Sequence, residues 1–187
     1  MTLKRLFNSV AIFAIALAFV GLVAIYAVGK SQEPELISAT PAGKVATSQG
    51  ELQHVTLALD TYPDSEVPEN FNNDHSDHAD WVSYGPSTRL EVPANSLVTI
   101  TITNYDGGEV LNNTYFKDVI GVEGIATLNG EPFTSVPPDH VGHTFTLRPA
   151  PVNRGAELFV SVPLLAVPED AMPEEGYTDT PNVITFS

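Results

Sequence analysis

The chain has five histidines and no cysteine, so any metal or acid–base chemistry must rest on imidazole, carboxylate and hydroxyl groups. Two histidines fall in Asp74-His75-Ser76-Asp77-His78-Ala79-Asp80, among three aspartates. Imidazole and carboxylate are ordinary ligands of zinc and copper, and an i, i+3 histidine pair can chelate in a turn. The segment lies in a polar loop, 62–80, with Pro63, Pro68, Asn72 and Asn73, and nothing in the sequence fixes its geometry. It reads as a solvated loop with at most weak, adventitious metal binding. His140 and His143 bracket Val141-Gly142 ahead of an alternating segment. Their plain reading is one loop histidine and one at the head of a strand, satisfied by backbone or water; a metal role is the alternative. There is no Gly-x-Ser-x-Gly elbow, no Gly-rich phosphate loop before a helix and no His-Glu-x-x-His. The pairs Glu169-Asp170 and Glu174-Glu175 read as solvated surface. No enzymatic activity is expected.

The elements that must position these groups are short strands. His54 to Leu59 alternates, with Val55, Leu57 and Leu59 on one face. Ser96 to Asn104 alternates strictly, placing Val98, Ile100 and Ile102 opposite Leu97, Thr99, Thr101 and Thr103. It is the strongest strand signal in the chain, with one side set to pack on a core. Trp81–Tyr84, Arg89–Val92, His143–Leu147, Glu157–Pro163 and Asn182–Phe186 add further pieces. Asn129-Gly130, between Ala126-Thr127-Leu128 and Glu131-Pro132-Phe133, is a preferred tight-hairpin dipeptide. No stretch beyond residue 50 has a helical period. The pattern predicts one antiparallel β-sandwich over 51–187. Its last segment, Val183–Phe186, is expected to leave a sheet edge with nothing after it, as in a sandwich cut short.

Residues 1–30 stand apart. Lys4 and Arg5 precede an apolar run from Val10 to Val28. Nineteen residues at about 1.5 Å each span roughly 29 Å, close to the hydrocarbon thickness of a bilayer. The run exceeds a usual signal-peptide core and lacks a clear small-x-small cleavage site. It is expected to be an uncleaved anchor crossing the plasma membrane through residues 10–28, with a secreted, cleaved form as the alternative. Lys4 and Arg5 favour a cytoplasmic N-terminus and an extracytoplasmic C-terminal domain. Residues 31–50, rich in Pro, Ser, Thr, Gly and Ala, read as a flexible linker. Beyond residue 30 there are five basic residues against all 23 acidic ones, a net of −18. Such a surface repels nucleic acid and anionic headgroups and suits a basic protein partner or metal cations. Without cysteine there are no disulfides, so stability must come from packing.

The order of segments carries a resemblance. Val92-Pro93-Ala94-Asn95-Ser96-Leu97-Val98-Thr99-Ile100-Thr101-Ile102-Thr103-Asn104-Tyr105-Asp106 is similar to the "VPA-x-S-V-T-V" strand of cupredoxins. His140-Val141-Gly142-His143-Thr144-Phe145-Thr146 looks like their "x-x-H-T-F-x" strand. Leu158–Leu164 and Asn182–Phe186 resemble the two strands before the copper loop. The chain resembles membrane-anchored cupredoxin-like proteins of actinobacteria and some archaea, of the broad sulfocyanin and oxidase-subunit-II type. The likeness spans roughly 51–187 and is specific over 92–106 and 139–187.

That resemblance implies an all-β, antiparallel Greek-key β-sandwich (cupredoxin-like) after one transmembrane helix. It also implies copper as cofactor, electron transfer with a redox protein partner, and His143 as the single matched copper-ligand position. In the family the remaining ligands come from a later loop with Cys, His and an axial residue, which this chain lacks. Two expectations follow. Either the protein binds copper and transfers electrons in its complete form, or it is a copper-free β-sandwich interaction module or subunit of a membrane complex, pairing a partner strand at its open edge.

Overall fold

A computed structural model describes residues 3–31, 36–48, 50–63, 82–107, 112–149, 158–166 and 177–187. Two compact units divide at residues 34 and 35. The first holds a single helix, α1, Leu3–Ser31. Its segment Val10–Gly29 is long and apolar enough to cross a membrane. Large apolar side chains such as Phe13, Phe19 and Ile25 point outward all round this stretch. A helix apolar on every side has no solvated face and suits lipid.

The second unit is built of strands. In chain order these are β1 (Leu36–Ser38), β2 (Thr40–Thr47), β3 (Gly50–Pro63), β4 (Val82–Gly85), β5 (Arg89–Glu91) and β6 (Ser96–Asp106). They continue with β7 (Ala126–Leu128), β8 (Glu131–Phe133), β9 (Val141–Leu147), β10 (Val160–Leu165) and β11 (Tyr177–Phe186). The main sheet runs β2-β3-β6-β11-β7-β8, with β4 also pairing β3. A second sheet contains β9 and β10, paired antiparallel, and β1 pairs β5. Asn129-Gly130 turns β7 into β8 with positive φ at both positions, as expected of that dipeptide.

Alternation sets the core. Val55, Leu57 and Leu59 of β3 and Ile100 and Ile102 of β6 point inward, on the faces read from the sequence. Leu57, Leu59, Ile100 and Ile102 form one cluster with Ile184 and Phe186 of β11, Phe145 of β9 and Val160, Val162 and Leu164 of β10. Two sheets thus share one apolar interior, in the manner of a sandwich. Phe145 bridges them, its ring 5.4 Å from that of Phe186. A groove of about 300 Å³ beside Phe145 is lined mainly by Leu59, Tyr84, Leu90 and Leu147.

Several expectations are corrected. The sheets are mixed, not antiparallel throughout: β3 pairs β6 in parallel over Gln53–Thr61, and β1 pairs β5 in parallel. Alternation reports which face is buried but carries no information about strand direction. Residues 36–47, expected within a flexible linker, form β1 and β2. β2 has no apolar alternation; its order comes from main-chain pairing with the long β3 across a turn at Thr47–Gly50. The terminal segment is not at an edge, because β11 lies between β6 and β7. The argument from an open terminal edge, for truncation or for capture of a partner strand, therefore fails. The 62–80 loop begins within β3, which ends at Pro63, and its His75 and His78 lie outside the described residues.

The loop before β7 is clamped to β10 where Ile120 and Ser161 exchange backbone hydrogen bonds of 2.8 and 2.9 Å. At the next residue, Gly121 (φ +76°), a Cβ would fall 1.9 Å from the Phe159 carbonyl oxygen. Gly124 has nearly the same φ (+75°) but open space around it. Gly124→Ala should cost about 1 kcal/mol, the penalty for a left-handed backbone alone. Gly121→Ala should cost about 3 kcal/mol or more, because it also drives a side chain into backbone. Urea denaturation of both variants checks this; equal losses would rule out the close approach.

Candidate functional site

The inward faces of β3 and β6 change character at one end. Beyond Leu59 the next inward residue of β3 is Thr61; beyond Ile102, β6 supplies Asn104 and then Asp106. All three are buried. Parallel register sets Thr61 directly beside Asn104. The Thr61 hydroxyl donates to Asn104 Oδ1, and Asn104 Nδ2 donates to the carbonyls of Asp106 (3.0 Å) and Leu165 (3.1 Å). One amide thus ties β3, β6 and β10 together across the sandwich. Its oxygen and both its amide hydrogens have partners, as burial requires.

His143 reaches this end from the opposite sheet. On β9 it shares the inward face with Val141 and Phe145. Its backbone position is set by a slip in the β9–β10 pairing, where Leu164 opposes His143 but Leu165 opposes Val141. Gly142 makes room for that slip, since a Cβ there would lie 3.1 Å from the Ala166 backbone. Nε2 of His143 abuts the Asp106 carboxylate, and the two side chains are 22% and 9% exposed. Nε2 makes no hydrogen bond, so the contact is a close polar pair.

Tyr84 of β4 closes the site toward the core. Its ring packs edge-on against Phe145 at 6.1 Å, and its hydroxyl donates to the Thr144 carbonyl at 3.3 Å. Burial, and secondarily the charge on Asp106, pushes the phenol well above its ordinary value. Both effects penalise the charged tyrosinate. An imidazole, a buried carboxylate and a neutral phenol therefore converge on one end of the sandwich.

Of the residues singled out by sequence that are described, only His143 is brought here. His140 sits in a short 3₁₀ turn, Pro138–His140, about half exposed and 3.8 Å from the Asp139 carboxylate. His54 lies elsewhere on β3, bonded through Nε2 to Thr99 Oγ1 at 2.8 Å. Sequence reasoning missed Asp106, Asn104, Thr61 and Tyr84. The available signal was the continuation of the buried face past Ile102: alternation runs on through Asn104 to Asp106, two residues beyond the end of the strand read from the sequence.

Two measurements test the site. Tyr84 is neutral in the fold at a pH where an unfolded tyrosine ionises, so its contribution to stability is present in full below about pH 10 and is lost as pH rises beyond it. Spectrophotometric titration should show a late phenol that is absent from Tyr84→Phe; curves with equal late amplitude would refute its burial. For the His143–Asp106 pair, long-range proton–nitrogen NMR should find the neutral ring protonated on Nε2, as a facing carboxylate demands. That preference should weaken in Asp106→Ala; an Nδ1-protonated ring in the unaltered protein would contradict the pairing. Comparison with known proteins gives no match to any family, any curated protein or any solved structure.

Proposed function

We propose that the chain is the membrane-anchored, extracytoplasmic part of a cupredoxin-like copper and electron-transfer protein, and that His143 is the one copper ligand it supplies. The His143–Asp106 pair carries this reading. A carboxylate held against one ring nitrogen is the usual means of fixing the tautomer and orientation of a metal-binding histidine, and it leaves the other nitrogen, Nδ1, as the donor. Orientation across the membrane follows from Lys4 and Arg5 ahead of the apolar helix. The strongly acidic outer unit suits a basic redox partner.

The donor set of this chain alone does not fit a blue-copper centre. That centre needs a thiolate and a second imidazole; the sequence has no cysteine, and no group of three or more metal-binding side chains assembles among the described residues. On the copper reading, the remaining ligands would be supplied by polypeptide other than these 187 residues. Copper, when bound, would supply the one-electron chemistry. The residues described here fix the ring: Asp106 holds Nε2, Asn104 anchors the Asp106 backbone, and Gly142 allows the strand slip that aims the side chain.

The incomplete donor set equally favours a second reading, a copper-free interaction subunit of a membrane complex. The complete gene product, purified from its native membrane and loaded with Cu(II), separates the two. The first reading expects an intense visible absorption band that His143→Ala abolishes. A colourless, fully folded protein would leave the second.

A further inference from the structure

We infer that Asn112 is an acceptor site for an N-linked glycan. Asn112-Asn113-Thr114 has the Asn-x-Ser/Thr pattern, with a middle residue other than proline. Three residues by themselves say little; their setting in the fold says more. Asn112 and Thr114, the acceptor and the hydroxyl that must be read with it, are both exposed and lie in irregular backbone outside the sheets. Between them Asn113 turns the other way. Its N–H donates to the Pro138 carbonyl at 2.9 Å, and its Oδ1 accepts from the N–H groups of Tyr115 and Phe116 at 3.1 and 2.9 Å. The middle residue therefore pins the loop to the body of the unit, while the two flanking residues stay presented to solvent.

A second feature favours an occupant there. Tyr115, 63% exposed, stands edge-on against Phe116 at 4.8 Å, which leaves an aromatic surface uncovered directly after Thr114 in the chain. The apolar face of a sugar ring is a natural cover for such a ring.

The donor is a lipid-pyrophosphate-linked oligosaccharide. Nδ2 of Asn112 forms a bond to the anomeric carbon, the bond from that carbon to the pyrophosphate oxygen breaks, and lipid pyrophosphate leaves with the electron pair. The amide gives up one proton to a base of the transferring enzyme. Because such enzymes act on the extracytoplasmic side, this site rests on the orientation proposed above.

The test is expression of the full chain, with a sequon-bearing tag after Ser187, in membranes containing a sequon-directed oligosaccharyltransferase. Two glycans removable by peptide-N-glycosidase are expected. One should disappear in Asn112→Gln and Thr114→Ala and persist in Thr114→Ser. A tag that is modified while Asn112 is not would overturn the site alone. An unmodified tag would overturn the orientation, and the site with it.

Discussion

The parallel pairing of β3 with β6 is the constraint on which the rest of the strand-built unit depends. It lays two alternating strands side by side in register from Gln53–Ser96 to Thr61–Asn104. Their buried faces then change from apolar to polar at the same level. Had the two strands run antiparallel, the polar end of one would have met the apolar end of the other, burying unpaired amide and hydroxyl groups in the core. In the observed arrangement the polar groups meet each other, and Asn104 finds partners on β3, β6 and β10.

A buried carboxylate follows directly from that arrangement. Asp106 is the next inward residue of β6, and it is carried into the interior by the same alternation that buries Ile100 and Ile102. An isolated buried charge is expensive, and it is tolerated where polar groups surround it. His143 meets it from the other sheet, and Tyr84 lies close enough for its ionisation to be opposed by the same charge. The site is thus a product of sheet geometry, assembled from strands far apart in sequence.

Much of this was legible in the residues. The inward faces of β3 and β6, the Asn129-Gly130 hairpin, the apolar helix and the strand bearing His143 all follow from local pattern. Strand direction did not, because period-two alternation is identical for parallel and antiparallel neighbours. Nor did β2, whose Thr40–Thr47 sequence has no apolar face and is ordered mainly by backbone pairing with β3. The partner of His143 was hidden for a related reason. Asp106 precedes Gly107-Gly108, so local chemistry points to a turn, while only the register of a distant strand shows that its side chain is buried.

The place of β11 has a consequence for how the unit comes to be folded. It is hydrogen-bonded to β6 on one side and β7 on the other, joining two halves of the main sheet. Its partners on β6, Ile100 to Asp106, are made roughly eighty residues earlier in the chain. The loop-closure entropy of that pairing is lost before its contacts form, which makes such topologies slow to fold. Until β11 docks, β6 and β7 each present an unsatisfied edge, and Ile102 lacks one wall of its pocket. Emerging chains would therefore pass through a sticky interval, in which the excess of acidic residues makes encounters between neighbouring copies repulsive.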